Sequence, residues 1–251
     1  MPQVSGCRGP ASLPATIRRM RSFTCVLFIA TLLSALPAPE VEITAEPHHH
    51  LAFENASVRV FQVDLPPHAE TLMHWHHHDY INVTLGASEV VNAVQGKDPV
   101  TIKLQDGETR FSPAPFAHIA RNASDQPFRN LAIEILDDAK LRQSTAKWDE
   151  ERGLDILQGG TAQILFVKDA IRVTEFALQP DGVVPMHHHT GPHLLVAVSD
   201  LDLREKYLVD VHPSDPGRSR SGDLKWLTGG YSHAITNVGP HPAKFVTLEF
   251  P

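Results

Sequence analysis

Met73-His74-Trp75-His76-His77-His78-Asp79-Tyr80 and Met186-His187-His188-His189-Thr190-Gly191-Pro192-His193 open alike, with Met-His-x-His. A strand sends residues i and i+2 to one face. His74 and His76 then point together, as do His187 and His189, while Trp75 and His188 point away. A later histidine answers each pair: His118 stands 42 residues after His76, and His233 stands 44 after His189. Two imidazoles on one face and a third from a distant strand can share one cation.

The likeness spreads outward from these stretches. At an offset of 113, Val58-Arg59-Val60 meets Ile171-Arg172-Val173, Leu65 meets Leu178 and Pro67 meets Pro180. At an offset of 115, Gly107 meets Gly222, Asn122 meets Asn237 and Glu134 meets Glu249. The chain is an internal duplication. Each copy is built of short apolar runs: Ser57 to Leu65, Ile81 to Leu85 and Asn130 to Leu136 in the first, then Ala170 to Leu178, Leu194 to Val198 and Lys244 to Phe250 in the second. Asp106-Gly107, Asp181-Gly182 and Ser221-Gly222 are turn signals. Short strands at this spacing predict an all-β protein of two barrels, over 45–138 and 161–251. The polar stretch 139–160 reads as a linker, with a helical pattern over Ala139 to Arg152.

Residues 1–38 read as a secretory signal. Arg18, Arg19 and Arg21 precede an apolar run from Phe23 to Leu36, which is too short for a stable membrane span. A membrane tether is the other reading, and Met20 is an alternative start. Its removal takes four arginines and no acid, leaving 18 basic against 29 acidic residues, a net of −11. That balance disfavours nucleic acid and anionic membrane surfaces as partners. Cys7 and Cys25 both lie in this segment, so the rest has no disulfide and no thiolate ligand. The expectation is a secreted or periplasmic protein with a small-molecule partner, with room for a homo-oligomer.

The two motif pairs resemble those of the cupin superfamily, and of its two-domain bicupins in particular. His74-Trp75-His76 leads through Tyr80 to Gly86, and His187-His188-His189 leads through His193 to Ser199. The second motif is matched by Gly107, Pro113-Ala114-Pro115, His118 and Asn122, and by Gly222, Thr228-Gly229-Gly230, His233 and Asn237. The resemblance implies a double-stranded β-helix, or jelly roll, in each half, with a metal inside each barrel. It implies His74, His76 and His118 as one ligand set, and His187, His189, His193 and His233 as a second, better one. The acidic ligand that the family carries is missing from both copies. Tyr80 and His193 stand in its place; Asp79 and Asn82 are neighbouring substitutes, and a His76–His78 pairing is an alternative register.

An imidazole-only site suits iron, copper, nickel and zinc, and accepts manganese. The expectation is a divalent transition metal, with Fe(II) favoured. Three ligands leave room for substrate and dioxygen. The leading expectation is an oxygenase acting on a small chelating organic molecule, with Tyr80 as a catalytic proton donor. Its rivals are a non-catalytic binding module and a metal-dependent isomerase, lyase or decarboxylase. The last needs an acid–base residue in the cavity, for which Tyr80, Glu134 and Glu249 are the candidates. Among the remaining histidines, His48-His49-His50 reads as a polar lead-in to the first strand. Glu134 and Glu249 read as outward charges, and Asn122 and Asn237 as turn residues.

Overall fold

A computed structural model describes residues 39–136, 155–209 and 217–251. The expected signal segment and the helical part of the expected linker lie outside them. Strands dominate the described residues. The first half holds β1 (Val41–Glu42), β2 (His49–Glu54), β3 (Val58–Leu65), β4 (His74–His76) and β5 (Tyr80–Leu85). It continues with β6 (Ser88–Val94), β7 (Val100–Leu104), β8 (Thr109–Ser112), β9 (Phe116–Asn122) and β10 (Phe128–Ile135). The second half holds β11 (Asp155–Lys168), β12 (Ile171–His189), β13 (His193–Ala197) and β14 (Leu201–Tyr207), then β15 (Gly217–Ser219), β16 (Leu224–Leu227), β17 (Tyr231–Asn237) and β18 (Ala243–Glu249). Residues 155–160, expected in the linker, instead begin β11, which pairs along β12.

In the first half two five-stranded sheets face each other, β1-β4-β9-β6-β7 and β2-β3-β10-β5-β8. In the second, β12 is long and bent, and does the work of β3 and β4 together. Its first part pairs with β18 and its last part with β17. The registers match the duplication position by position. Glu134 pairs with Tyr80 and Arg59 as Glu249 pairs with His193 and Arg172. His74 faces His118 as His187 faces His233. After Pro67 and Pro180, His68 and Asp181 turn the chain at the same left-handed φ of 61°. Asn122 and Asn237 clasp those turns, since each amide donates to three carbonyls, including Leu65 and Leu178 respectively.

The apolar runs are nearly continuous because β3, β5 and β10 are buried on both faces. One face lines the barrel through Phe61, Val63, Leu65, Phe128 and Ala132. The other, with Val58, Val60, Ile81, Val83, Leu131 and Ile133, packs on Val173, Leu194, Val196, Val246 and Leu248 of the second half. The halves thus share one core. At its rim Arg129 donates to the Ser221 carbonyl and Lys244 donates to the Asp106 carbonyl, matching contacts related by the duplication. Leu131 is fully buried in this shared layer. Leu131→Ala is expected to cost about 3 kcal/mol of unfolding free energy. Denaturant melts should show a single transition, shifted as a whole; a shifted transition for one half beside an unshifted one for the other would refute the shared core.

Candidate metal centres

The second half shows the clearer site. β12 and β17 bring His187, His189 and His233 together, with His189 and His233 buried. Their Nε2 atoms stand 2.9 Å apart for His187–His189 and 3.1 Å apart for His189–His233. Each Nδ1 has a fixed acceptor: the Pro185 carbonyl at 2.8 Å, Glu249 Oε1 at 3.0 Å and Glu205 Oε2 at 3.1 Å. Those contacts place the ring proton on Nδ1 and leave a lone pair on every Nε2. Three lone pairs then converge with no proton between them, which repels unless a cation sits among them. Nitrogens on adjacent corners of a coordination sphere, each about 2.1 Å from the ion, would stand about 3 Å apart. The residues fit a divalent ion.

The first half repeats the plan. His74 and His118 bring their Nε2 atoms within 3.1 Å. Their Nδ1 atoms meet the Leu72 carbonyl at 2.9 Å and Asn92 Oδ1 at 2.7 Å. His76 lies between the pair and Tyr80, and both its ring nitrogens are buried with no hydrogen-bond partner. A buried imidazole with nothing to bind is a ligand in waiting. A fourth ring joins from β2: potential ligand atoms of His49, His74 and His76 all lie within 4.8 Å of one another. This overturns the reading of His49 as part of a polar lead-in.

Tyr80 and His193 take one place in both halves, each opposite the glutamate of its closing strand. Tyr80 stacks on His76 at 4.4 Å between ring centroids, and His193 stacks on His189 at 4.0 Å. His193 Nε2 lies 3.3 Å from the Tyr231 hydroxyl, which sets it apart from the tight group of His187, His189 and His233. Glu134 and Glu249, read as outward charges, in fact point inward and are 1% and 7% exposed. Each stands behind the second histidine of its motif and is held by the duplicated arginine, Arg59 or Arg172. Trp75 and His188 do turn away, toward Glu40 and Ser232.

Electrostatics separate the two sites. Burial drives the His74 and His187 pKa values down to about 4, and those of His118 and His193 to about 3. It lowers that of His76 further. These rings are neutral at pH 7 and ready to ligate. Burial alone would raise Glu205, but His233, Tyr207 and Lys225 pull it to about 2. Glu249 is likewise lowered, as His189 and Arg172 outweigh its burial. Two carboxylates therefore back the second site. The matching supports in the first are neutral Asn92 and Glu134, whose pKa burial raises despite Arg59. Glu134 is also more distant, 3.9 Å from His76 Nδ1.

The first site opens on a cavity of about 250 Å³. His49, His76 and His118 are among its lining residues. Its wall mixes apolar side chains with Tyr80, Asn82, Asn130 and Ser112, and Arg110 is its cation. In the second site Tyr207 and Tyr231 pack on His233, at 5.6 and 5.1 Å between centroids.

The fold is all-β, with two halves built to one plan, and each half gathers histidines with metal-binding geometry. Among solved structures the chain is similar to a Bacillus subtilis oxalate decarboxylase studied for its Mn(II) centres, at 11% identity and a TM-score of 0.57, over 78% of this chain and 69% of that one. An oxalate decarboxylase studied for its substrate binding mode matches at 12% identity and the same TM-score of 0.57, over 77% of this chain and 69% of that one. The likeness is one of fold. No family model matches the sequence, and no curated protein matches it. Among the described residues no helix is long and apolar enough to cross a membrane.

Proposed function

We propose that the protein is a divalent-metal-dependent enzyme whose reaction chamber is the first barrel, and that it cleaves a small, metal-chelating carboxylate in a lyase or decarboxylase reaction. The observation that carries this is the convergence of proton-free Nε2 atoms beside a 250 Å³ cavity. That volume is below the range of drug-sized pockets, roughly 300–1,000 Å³. A divalent ion held by neutral rings keeps its positive charge. An anionic chelator is the matching ligand. The fold neighbours' own substrate, a small dicarboxylate, agrees with this class.

A lyase also needs an acid, and Tyr80 supplies one. Burial raises its pKa, and a hydrogen bond to Ser112 only partly offsets that. The hydroxyl stays protonated beside the chamber. When the bond to the departing carboxylate breaks and CO2 leaves, the electron pair left on carbon can take the Tyr80 proton. The bound metal would polarise the carboxylate or carbonyl that chelates it. Tyr80→Phe is expected to lower kcat by about a hundredfold, with metal content and KM little changed. A variant with full kcat would remove Tyr80 from the chemistry.

The second reading is an oxygenase using Fe(II), favoured by the carboxylate-free ligand set. One experiment separates the readings. Metal-loaded protein is offered keto acids, hydroxy acids and dicarboxylates while CO2 release and O2 uptake are followed together. CO2 without net O2 uptake supports the decarboxylase, and stoichiometric O2 uptake supports the oxygenase. Neither, with ligand bound unchanged, would overturn both in favour of a binding module.

A further inference from the structure

We propose that the first metal centre is completed from outside its barrel motifs: the N-terminal arm, Val41 to His49, delivers His49 as a fourth ligand, so the ion and the arm hold each other in place. This rests on the reading of the first site as a metal centre.

The geometry assigns His49 a ligand's surroundings. Its side chain is 5% exposed, although it lies near the start of an edge strand. Its ring centroid is 4.6 Å from that of His74. Its Nδ1 is 2.6 Å from Glu46 Oε2, and Glu46 itself has a fully buried side chain. Donation from Nδ1 to that carboxylate leaves Nε2 with a lone pair, as in His74 and His118. Glu46 therefore does for His49 what Glu249 does for His189. A buried carboxylate is costly without partners. This one has three: His49, the His48 amide at 2.8 Å and the Leu72 amide at 3.2 Å. The Leu72 carbonyl in turn holds His74 Nδ1. One short chain of hydrogen bonds thus joins the arm to a motif histidine.

The arm's other polar fastenings lie toward the surface: the Glu42–His77 ion pair and two hydrogen bonds between His48 and Asp64. β1 is two residues long and pairs in parallel with β4, at Val41–His74 and Glu42–Trp75. A single turn over Ile43–Ala45 connects it to Glu46, and Ile43 is its buried apolar anchor. Such a segment has little apolar burial with which to resist fraying. An ion bound to His49 would add a strong bond to the docked state only. Linkage then requires that a docked arm tighten the ion by the same factor.

The second half provides an internal control. Ala162 pairs with Phe176 where His49 pairs with Val63, so it holds the matching place and offers no ligand. Four rings would serve the first site and three the second, in one molecule.

The test uses the full chain with Co(II) alone as the probe. Metal affinity is read from the visible absorption bands, and hydrogen exchange is followed by mass spectrometry over Val41–Glu54. In the wild type, Co(II) is expected to slow exchange in this segment. His49→Ala should weaken the first site by about tenfold or more and abolish that protection, leaving the second site's affinity unchanged. Glu46→Gln, which keeps the ring, should weaken it less. If His49→Ala fails to fold, the wild-type exchange and Glu46→Gln still decide. Metal that binds the first site as tightly in the variants, or without protecting the arm in the wild type, would overturn the arm's role and spare the metal centre. A first site that binds no Co(II) at all, with His74 to Tyr80 equally unprotected, would overturn both.

Discussion

His76→Ala is expected to empty the first barrel and abolish turnover, while His189→Ala empties only the second. His76 lies at the centre of the first cluster, against His74, His118 and Tyr80. Its two nitrogens make no hydrogen bond, so the change removes a ligand and the ring's stacking on Tyr80 but breaks no hydrogen bond. A metal in such a site supplies several kcal/mol of charge stabilisation. At about 1.4 kcal/mol per decade, its loss should reduce turnover roughly a thousandfold. The second ion would lie among rings that two anionic carboxylates, Glu205 and Glu249, back and make more basic. Its role is then to brace the second barrel. His189→Ala should lower metal content by one ion per chain and the melting temperature with it, yet change turnover by less than about tenfold. Metal analysis beside a turnover assay checks both. If His189→Ala abolished turnover and His76→Ala spared it, the chamber would have to move to the second barrel.

Duplication made most of this legible in the sequence, and it also set the limit. His74, His76 and His118, with their partners His187, His189 and His233, could be found because both copies keep them at one offset. The same alignment placed Tyr80 opposite His193, and the strand registers agree. His49 was hidden because its counterpart is Ala162, so the repeat gave no second vote. Asn92 and Glu205 were hidden for the same reason: they hold matching rings, His118 and His233, with different chemistry. Glu134 and Glu249 were visible as a repeated pair but misplaced. A carboxylate in a closing strand is usually a solvated charge. Here the partner that makes burial affordable, Arg59 or Arg172, is on a neighbouring strand, and only the register brings it near. A paired arginine and glutamate recurring at both offsets was the signal that could have shown it.

Acid should unfold the metal-free protein well before it unfolds most domains. The rings of His74, His118, His187 and His193 have pKa values of about 4, 3, 4 and 3 in the fold, lowered first of all by burial, and His76 is lowered too. In the unfolded chain each would titrate near the ordinary value of about 6.5. Above that pH both states are neutral and these rings contribute no pH dependence. Below it the unfolded state takes up protons that the fold refuses, so stability falls as pH falls, until the folded pKa is reached. Each ring contributes at most about 1.4 kcal/mol per pH unit. Against a net stability of roughly 5–15 kcal/mol, such a cluster makes acid strongly destabilising. Glu205 and Glu249 oppose none of this, since their lowered values make the fold lose further stability as they protonate. Bound metal adds stability at neutral pH, but protons compete for the same nitrogens, so the loaded protein should fall more steeply still. Melting temperatures of chelator-treated and metal-loaded protein across pH 7.5 to 4.5 test the argument. Equal melting temperatures for the metal-free form at pH 7 and pH 5 would mean that the rings are not buried as a neutral cluster, and the metal centres would lose their physical basis.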